Sequence, residues 1–291
     1  MNTPRNAPDP VGLTIARRIQ QKSRPAEIIL AGSRAAGDHR PDSDVDLIAI
    51  APDDDGAERT KAVLKELLEG KRDVPVVNVV TITRKEFQRT APLAQSLAGQ
   101  TARHGVTPDG KSLKYRAERE PAPDEIRELT LYWLGLAERH LAMAGHLLEE
   151  RELCHVECLG RDAQWGLERS FKGLLAAGND PVRFRRDAAF LWRHVESLRP
   201  IRDRQGAQAV ENLLAATAMP GGLGCSLTAF SEAYRRGIPY PDLSDEAREE
   251  VKRWIKPALD ALTAEALARS GAVREDLRTG RRSGLGLPPR Q

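Results

Sequence analysis

Aromatic residues are scarce in this chain of 291 residues, at 4% of the total. Cysteine is scarcer: Cys154, Cys158 and Cys225 are too few and too oddly numbered for a disulfide framework, which leaves reduced thiols as the default. No run approaches the roughly 18–20 apolar residues of a membrane span, so a membrane protein is excluded. Met1 to Pro10 holds no basic segment leading into an apolar one, and the cytoplasm is the expected compartment. Charge of one sign is also lacking. A net +3 falls short of the diffuse basic field of a dedicated nucleic-acid binder. With 40% hydrophobic and 30% charged residues the composition is that of an ordinary globular protein and not of a disordered one.

What aromatics there are lie unevenly. Only Phe87 and Tyr115 precede residue 130, whereas Trp133, Trp165, Trp192 and Trp254 all follow it, which implies two cores of different character. Length points the same way, since about 100–200 residues make one domain. Residues 1–121 carry the net +3 and the remainder is neutral, although Arg269 to Arg290 contribute six arginines against Glu275 and Asp276.

The first part alternates element types. Val11 to Lys22 has helical apolar spacing and is stopped by Pro25; Glu27 to Ala31 and Val45 to Ile50 are short apolar runs suited to buried strands. Glu58 to Glu69 reads as a surface helix and the β-branched Val74 to Ile82 as a third strand. Thr107 to Pro123 has little periodicity and reads as a linker. Beyond it helices are expected over Ile126 to Glu150, Val156 to Ala177, Asp187 to Leu198, Ala207 to Met219 and Asp245 to Ala268. The expected organisation is an α/β domain over residues 1–110, a linker over 111–122, an all-α bundle over 123–268 and a basic, disordered tail over 269–291.

Chemistry concentrates in Gly32-Ser33-Arg34-Ala35-Ala36-Gly37 and the following Pro41-Asp42-Ser43-Asp44-Val45-Asp46-Leu47. A strand that runs through Gly-Ser into a tight turn and short helix can present N–H groups and a hydroxyl to phosphate oxygens. Asp44 and Asp46, two residues apart on a strand, point to one face. Paired carboxylates repel unless a cation neutralises them, and Mg²⁺ takes one or two carboxylates plus waters and substrate phosphates. A Gly-Ser pair alone is usually a turn, and Asp-X-Asp alone is usually solvated surface. Together, about ten residues apart, they bring a phosphate cradle and metal ligands to one place, an Mg²⁺–nucleotide site.

GSRAAGDHRPDSDVDL, residues 32 to 47, resembles the Gly-Ser, ten residues, Asp-X-Asp pattern of the minimal nucleotidyltransferases of the polymerase-β superfamily, over about residues 10–110. The resemblance implies Asp44 and Asp46 as catalytic metal ligands, and Gly32, Ser33 and Arg34 as nucleotide-binding. It also implies Mg²⁺ or Mn²⁺ as cofactor and ATP or another NTP as donor, and it places the reaction at a cleft between the domains. One position departs. The family's third carboxylate falls at Asn78 in Val77-Asn78-Val79-Val80, and an amide cannot accept a proton at neutral pH and is a weaker ligand. Asp73 and Glu86 are near in sequence, and neither can be placed in the site from sequence.

The helical half, with Ala163 to Leu175 and Arg236-Gly237-Ile238-Pro239-Tyr240-Pro241, resembles HEPN domains over about residues 123–268. The implied fold class is α+β, a polymerase-β-like domain followed by a HEPN-like bundle serving as a substrate-binding or dimerisation domain. Such pairs occur in toxin–antitoxin systems. The expected function is transfer of an NMP, AMP first, to an acceptor hydroxyl on a protein, an RNA 3′ end or a small molecule, with a non-catalytic nucleotide-binding regulator as the alternative. The RNase motif of some HEPN proteins is lacking at Arg185 to Phe190. Arg139 and His146 have its spacing but sit in the wrong helix, and Arg151 and His155 are one residue too close. Cys154, His155 and Cys158 read as helix packing, as do the tryptophans, and His39 lies beside the phosphate turn.

Overall fold

A computed structural model describes residues 7–23, 26–39, 41, 43–68, 75–149, 156–183, 188–218 and 245–278, without the side chains of 156–161, 217–218 and 245–248. The chain divides into two compact units, Met1–Pro121 and Ala122–Gln291. Cys154, His155, Cys225, Asp73, Arg151, Arg185 to Asp187, the Arg236 to Pro241 turn and Thr279 to Gln291 lie outside the described residues, as does the side chain of Cys158.

The first unit is a three-stranded mixed sheet with helices on both faces. Helix α1 (Pro10–Lys22) starts with proline in its first turn, and Asp9 caps it by accepting from the Val11 and Gly12 N–H groups. Its buried stripe is Leu13, Ala16 and Ile19. Strand β1 (Glu27–Leu30) pairs antiparallel with β2 (Val45–Ala51), which pairs in parallel with β3 (Val77–Thr83). Strand β2 is therefore central. It reads as nearly continuous apolar sequence because both its faces are covered. Leu47 and Ala49 join a cluster with α1 and α3 (Asp54–Leu68), while Ile48 and Ile50 join one with Phe87, Ala98 and Ala102. Asp46 is the one residue of β2 that is not buried. Between β1 and β2 lies the short helix α2 (Gly32–Ala36), closed by Gly37 at φ +69°.

Two helices unforeseen in the sequence cover the second face. A capping box of Thr83 and Glu86 opens α4 (Arg84–Thr90), and the Ser96 hydroxyl caps α5 (Leu97–His104). The expected linker is in part wrong. Val106 bridges to Leu30 and to Ser112, the Leu113 N–H bonds the Gly105 carbonyl, and Tyr115 meets Phe87 edge-on at 5.0 Å. Residues 105–115 thus belong to the first unit's packing.

The second unit is helical: α6 (Pro123–Glu149), α7 (Val156–Ala177), α8 (Ala188–Leu198), α9 (Arg204–Ala218), α10 (Asp245–Ser270) and α11 (Arg274–Arg278). Gly166 lies against Leu141 and Gly173 against Leu134, so α6 and α7 run antiparallel and close together. Phe171 and Trp192 join α7 to α8 in the core, whereas Trp133 and Trp165 are half-buried. Arg139 and His146 are exposed on α6. The disordered tail expected from residue 269 is corrected for its first ten residues: α10 runs to Ser270, Ala272 and Leu277 are buried, and Arg127 pairs with Asp276 at 2.7 Å.

Candidate active site

Strand β1 ends at Leu30 and the chain turns at Ala31, whose N–H bonds the Asp46 carbonyl at 2.8 Å. Gly32 follows at φ +67°, a conformation that side chains rarely adopt, and a Cβ there would overlap Oδ2 of Asp46. Glycine is thus required twice, by the turn and by the approach of a carboxylate. This contact ties the Gly-Ser turn to the second aspartate. Ser33 is half-buried in α2, its carbonyl accepting from the Gly37 and Asp38 N–H groups.

Asp44 immediately precedes β2 and Asp46 lies within it, both partly exposed. Parallel pairing sets Asn78 opposite Asp46. The Asn78 Nδ2 donates to Asp44 Oδ2 and to Asp46 Oδ1, each at 3.2 Å. One amide with two hydrogens bridges two carboxylates that would otherwise repel. By resemblance Asn78 stands where a third carboxylate is expected; in the fold it is a donor to both aspartates.

Arg34 is arranged differently from Gly32 and Ser33. It is buried at 3% exposure, and Nη1 meets Asp9 Oδ2 at 2.5 Å. Nε and Nη2 donate to the Ser43 carbonyl at 2.9 and 2.6 Å, and Nη2 also to the Pro41 carbonyl at 3.3 Å. The guanidinium is engaged by protein groups rather than presented to a phosphate. Burial pushes the Asp9 carboxyl up, but the Gly12 N–H, the Arg34 guanidinium and the Val11 N–H together outweigh it and hold the group below the usual carboxylate range. His39 stands with Nε2 3.6 Å from Asp9 Oδ1. Glu86 serves the α4 cap.

Residues 14–102 match the family model of the nucleotidyltransferase domain. The matched span runs from within α1 through the sheet into α5, and so contains the turn, both aspartates and Asn78. The chain carries a nucleotidyltransferase domain, whose general chemistry is nucleotidyl transfer. No curated protein and no solved structure matches the chain. No described helix is long and apolar enough to cross a membrane.

The donor set in this nucleotidyltransferase domain suits one hard cation. Two carboxylates converge, and Mg²⁺ completes its shell with waters and substrate phosphates. Among the described residues no group of three or more His, Cys, Asp and Glu is placed to hold a metal. Turned about χ2, Asn78 would offer Oδ1 as a neutral third ligand.

Proposed function

We propose that this chain is a Mg²⁺-dependent nucleotidyltransferase that moves an NMP, AMP first, from NTP to an acceptor hydroxyl. The observation that supports this reading is the convergence of the Gly32–Ser33 turn on Asp46, with Asp44 joined to it through Asn78. Asp44 and Asp46 would hold the cation, and Gly32 and Ser33 would bind the terminal phosphates. A bound Mg²⁺ supplies charge neutralisation across the phosphates and aligns them for in-line attack. The acceptor oxygen forms its bond to the α-phosphorus as the bond to the β-phosphate oxygen breaks and pyrophosphate leaves. Asn78, an amide, takes no proton. The acceptor's proton therefore passes to solvent or to a base outside this donor set.

Resemblance also supports reading the helical unit as HEPN-like and the whole as an AMPylating antitoxin of the cytoplasm, with dimerisation through the helices. Its acceptor would be a protein side chain, an RNA 3′ end or a small molecule. Asn78 favours a second reading, a regulator that binds nucleotide without transferring it. Incubation with α-labelled ATP, Mg²⁺ and each acceptor class separates the two. Label transfer that Asp44→Ala and Asp46→Ala abolish is the expected result; ATP binding with no transfer to any acceptor supports the regulator. RNA cleavage in EDTA would instead support a HEPN-type RNase, disfavoured by the placement of Arg139 and His146 on α6.

A further inference from the structure

Arg34 has a role that its place in the motif conceals. Its guanidinium is buried and reaches three parts of the first unit at once: the Asp9 cap of α1, the Pro41 carbonyl, and the Ser43 carbonyl by two donors. The Ser43 carbonyl belongs to the peptide plane shared with Asp44, so two bonds to that oxygen fix the plane from which the first aspartate projects. The opposite end of the strut is equally determined. Asp9 accepts from Val11 N–H, Gly12 N–H and Arg34, and its own N–H donates to the Arg34 carbonyl at 2.9 Å. Arg34 also follows Ser33 directly, so the residue that holds the Asp44 peptide is part of the turn that approaches Asp46.

We propose that Asp9 and Arg34 form a positioning pair that sets Asp44 relative to the Gly32–Ser33 turn. Neither touches the nucleotide or the cation; both act through the Ser43–Asp44 peptide. This goes beyond the proposed function by assigning two residues a role in it, and it rests on the reading of Asp44 and Asp46 as cation ligands. Lysine cannot substitute for Arg34, because one ammonium cannot span Asp9 and the Ser43 carbonyl with forked donors. Loss of Arg34 leaves the Asp9 carboxylate and the Ser43 carbonyl short of a donor, and loss of the Asp9 carboxylate leaves a buried guanidinium short of its charged acceptor.

The test uses the full-length chain with Asp9→Asn and Arg34→Lys, each read in two ways. Mn²⁺ affinity by electron paramagnetic resonance is expected to fall about 10–100-fold, the range for residues that orient metal ligands. Amide hydrogen exchange is expected to rise in residues 37–46 and to stay unchanged in α3. Unchanged Mn²⁺ affinity in both variants overturns the proposal, and so does exchange that rises equally in α3, which would mark a merely structural role. If the unsubstituted protein fails to bind Mn²⁺, the cation reading of Asp44 and Asp46 falls instead. The exchange pattern then decides the pair: a rise confined to 37–46 sustains it, and a uniform rise or none overturns it.

Discussion

Asn78 shows how much one atom decides. With aspartate at this position, three carboxylates would meet where the amide now bridges two. Without a cation, Asn78→Asp should therefore lower the melting temperature in EDTA, since like charges replace two hydrogen bonds. Saturating Mg²⁺ or Mn²⁺ should reverse the loss and bind more tightly than to the unsubstituted protein. Melting curves with and without metal check both signs. Asp9 makes a second prediction. Its folded pKa lies below its unfolded value, so the stability it contributes is present above about pH 3.9 and is lost as pH falls through the folded value. Asp9→Asn should flatten the acid limb of stability against pH below about pH 4, read by urea unfolding at several pH values. The aspartates and the Gly-Ser turn stand together in one local motif. The bonds of Arg34 are not legible there, because its partners Asp9 and Ser43 are 25 and 9 residues away and no local pattern reports them.

Elements with strong periodicity were legible and those made by contact were not. Helix α7 matches the expected Val156–Ala177, and β2 exceeds the expected run by one residue. Strand β3 begins three residues after Val74, since alternation there cannot mark the point where pairing with Val45 begins. Helices α4 and α5 carry readable signals in Thr83-x-x-Glu86 and Ser96, but both are short and weakly periodic, at 7 and 8 residues. The return of residues 105–115 depends on pairing Val106 with Leu30, 76 positions away, and has no local signature. In the second unit, Gly166 marks where α7 approaches α6, because a Cβ would overlap the Leu141 side chain. Gly166→Ala should destabilise the helical unit by about 1–3 kcal/mol through overpacking. Denaturant unfolding followed by tryptophan fluorescence is the measurement, since all four tryptophans lie in that unit.

At the scale of the whole molecule the aromatic asymmetry has a physical counterpart. The first unit builds its clusters from Ile, Leu, Val and Ala with Phe87 and Tyr115, and the second builds one large cluster that includes Phe171 and Trp192. Separate cores predict separate folding. A fragment of residues 1–121, free of tryptophan, should melt cooperatively by circular dichroism and bind ATP with Mg²⁺; a fragment that stays unfolded would show that the first unit depends on the second.

Sequence alone determined the uneven placing of the aromatics, the alternation of strands and helices in the first part, and the Gly-Ser and Asp-X-Asp motif. Each of these is written in neighbouring residues, as composition, period or motif. Tertiary structure decided that Asn78 joins Asp44 to Asp46, that Arg34 serves the Asp44 peptide, and that Tyr115 belongs to the first core. Those outcomes depend on pairing between strands and on burial across tens of residues, where the donors and acceptors that must satisfy each other are brought together only by the fold.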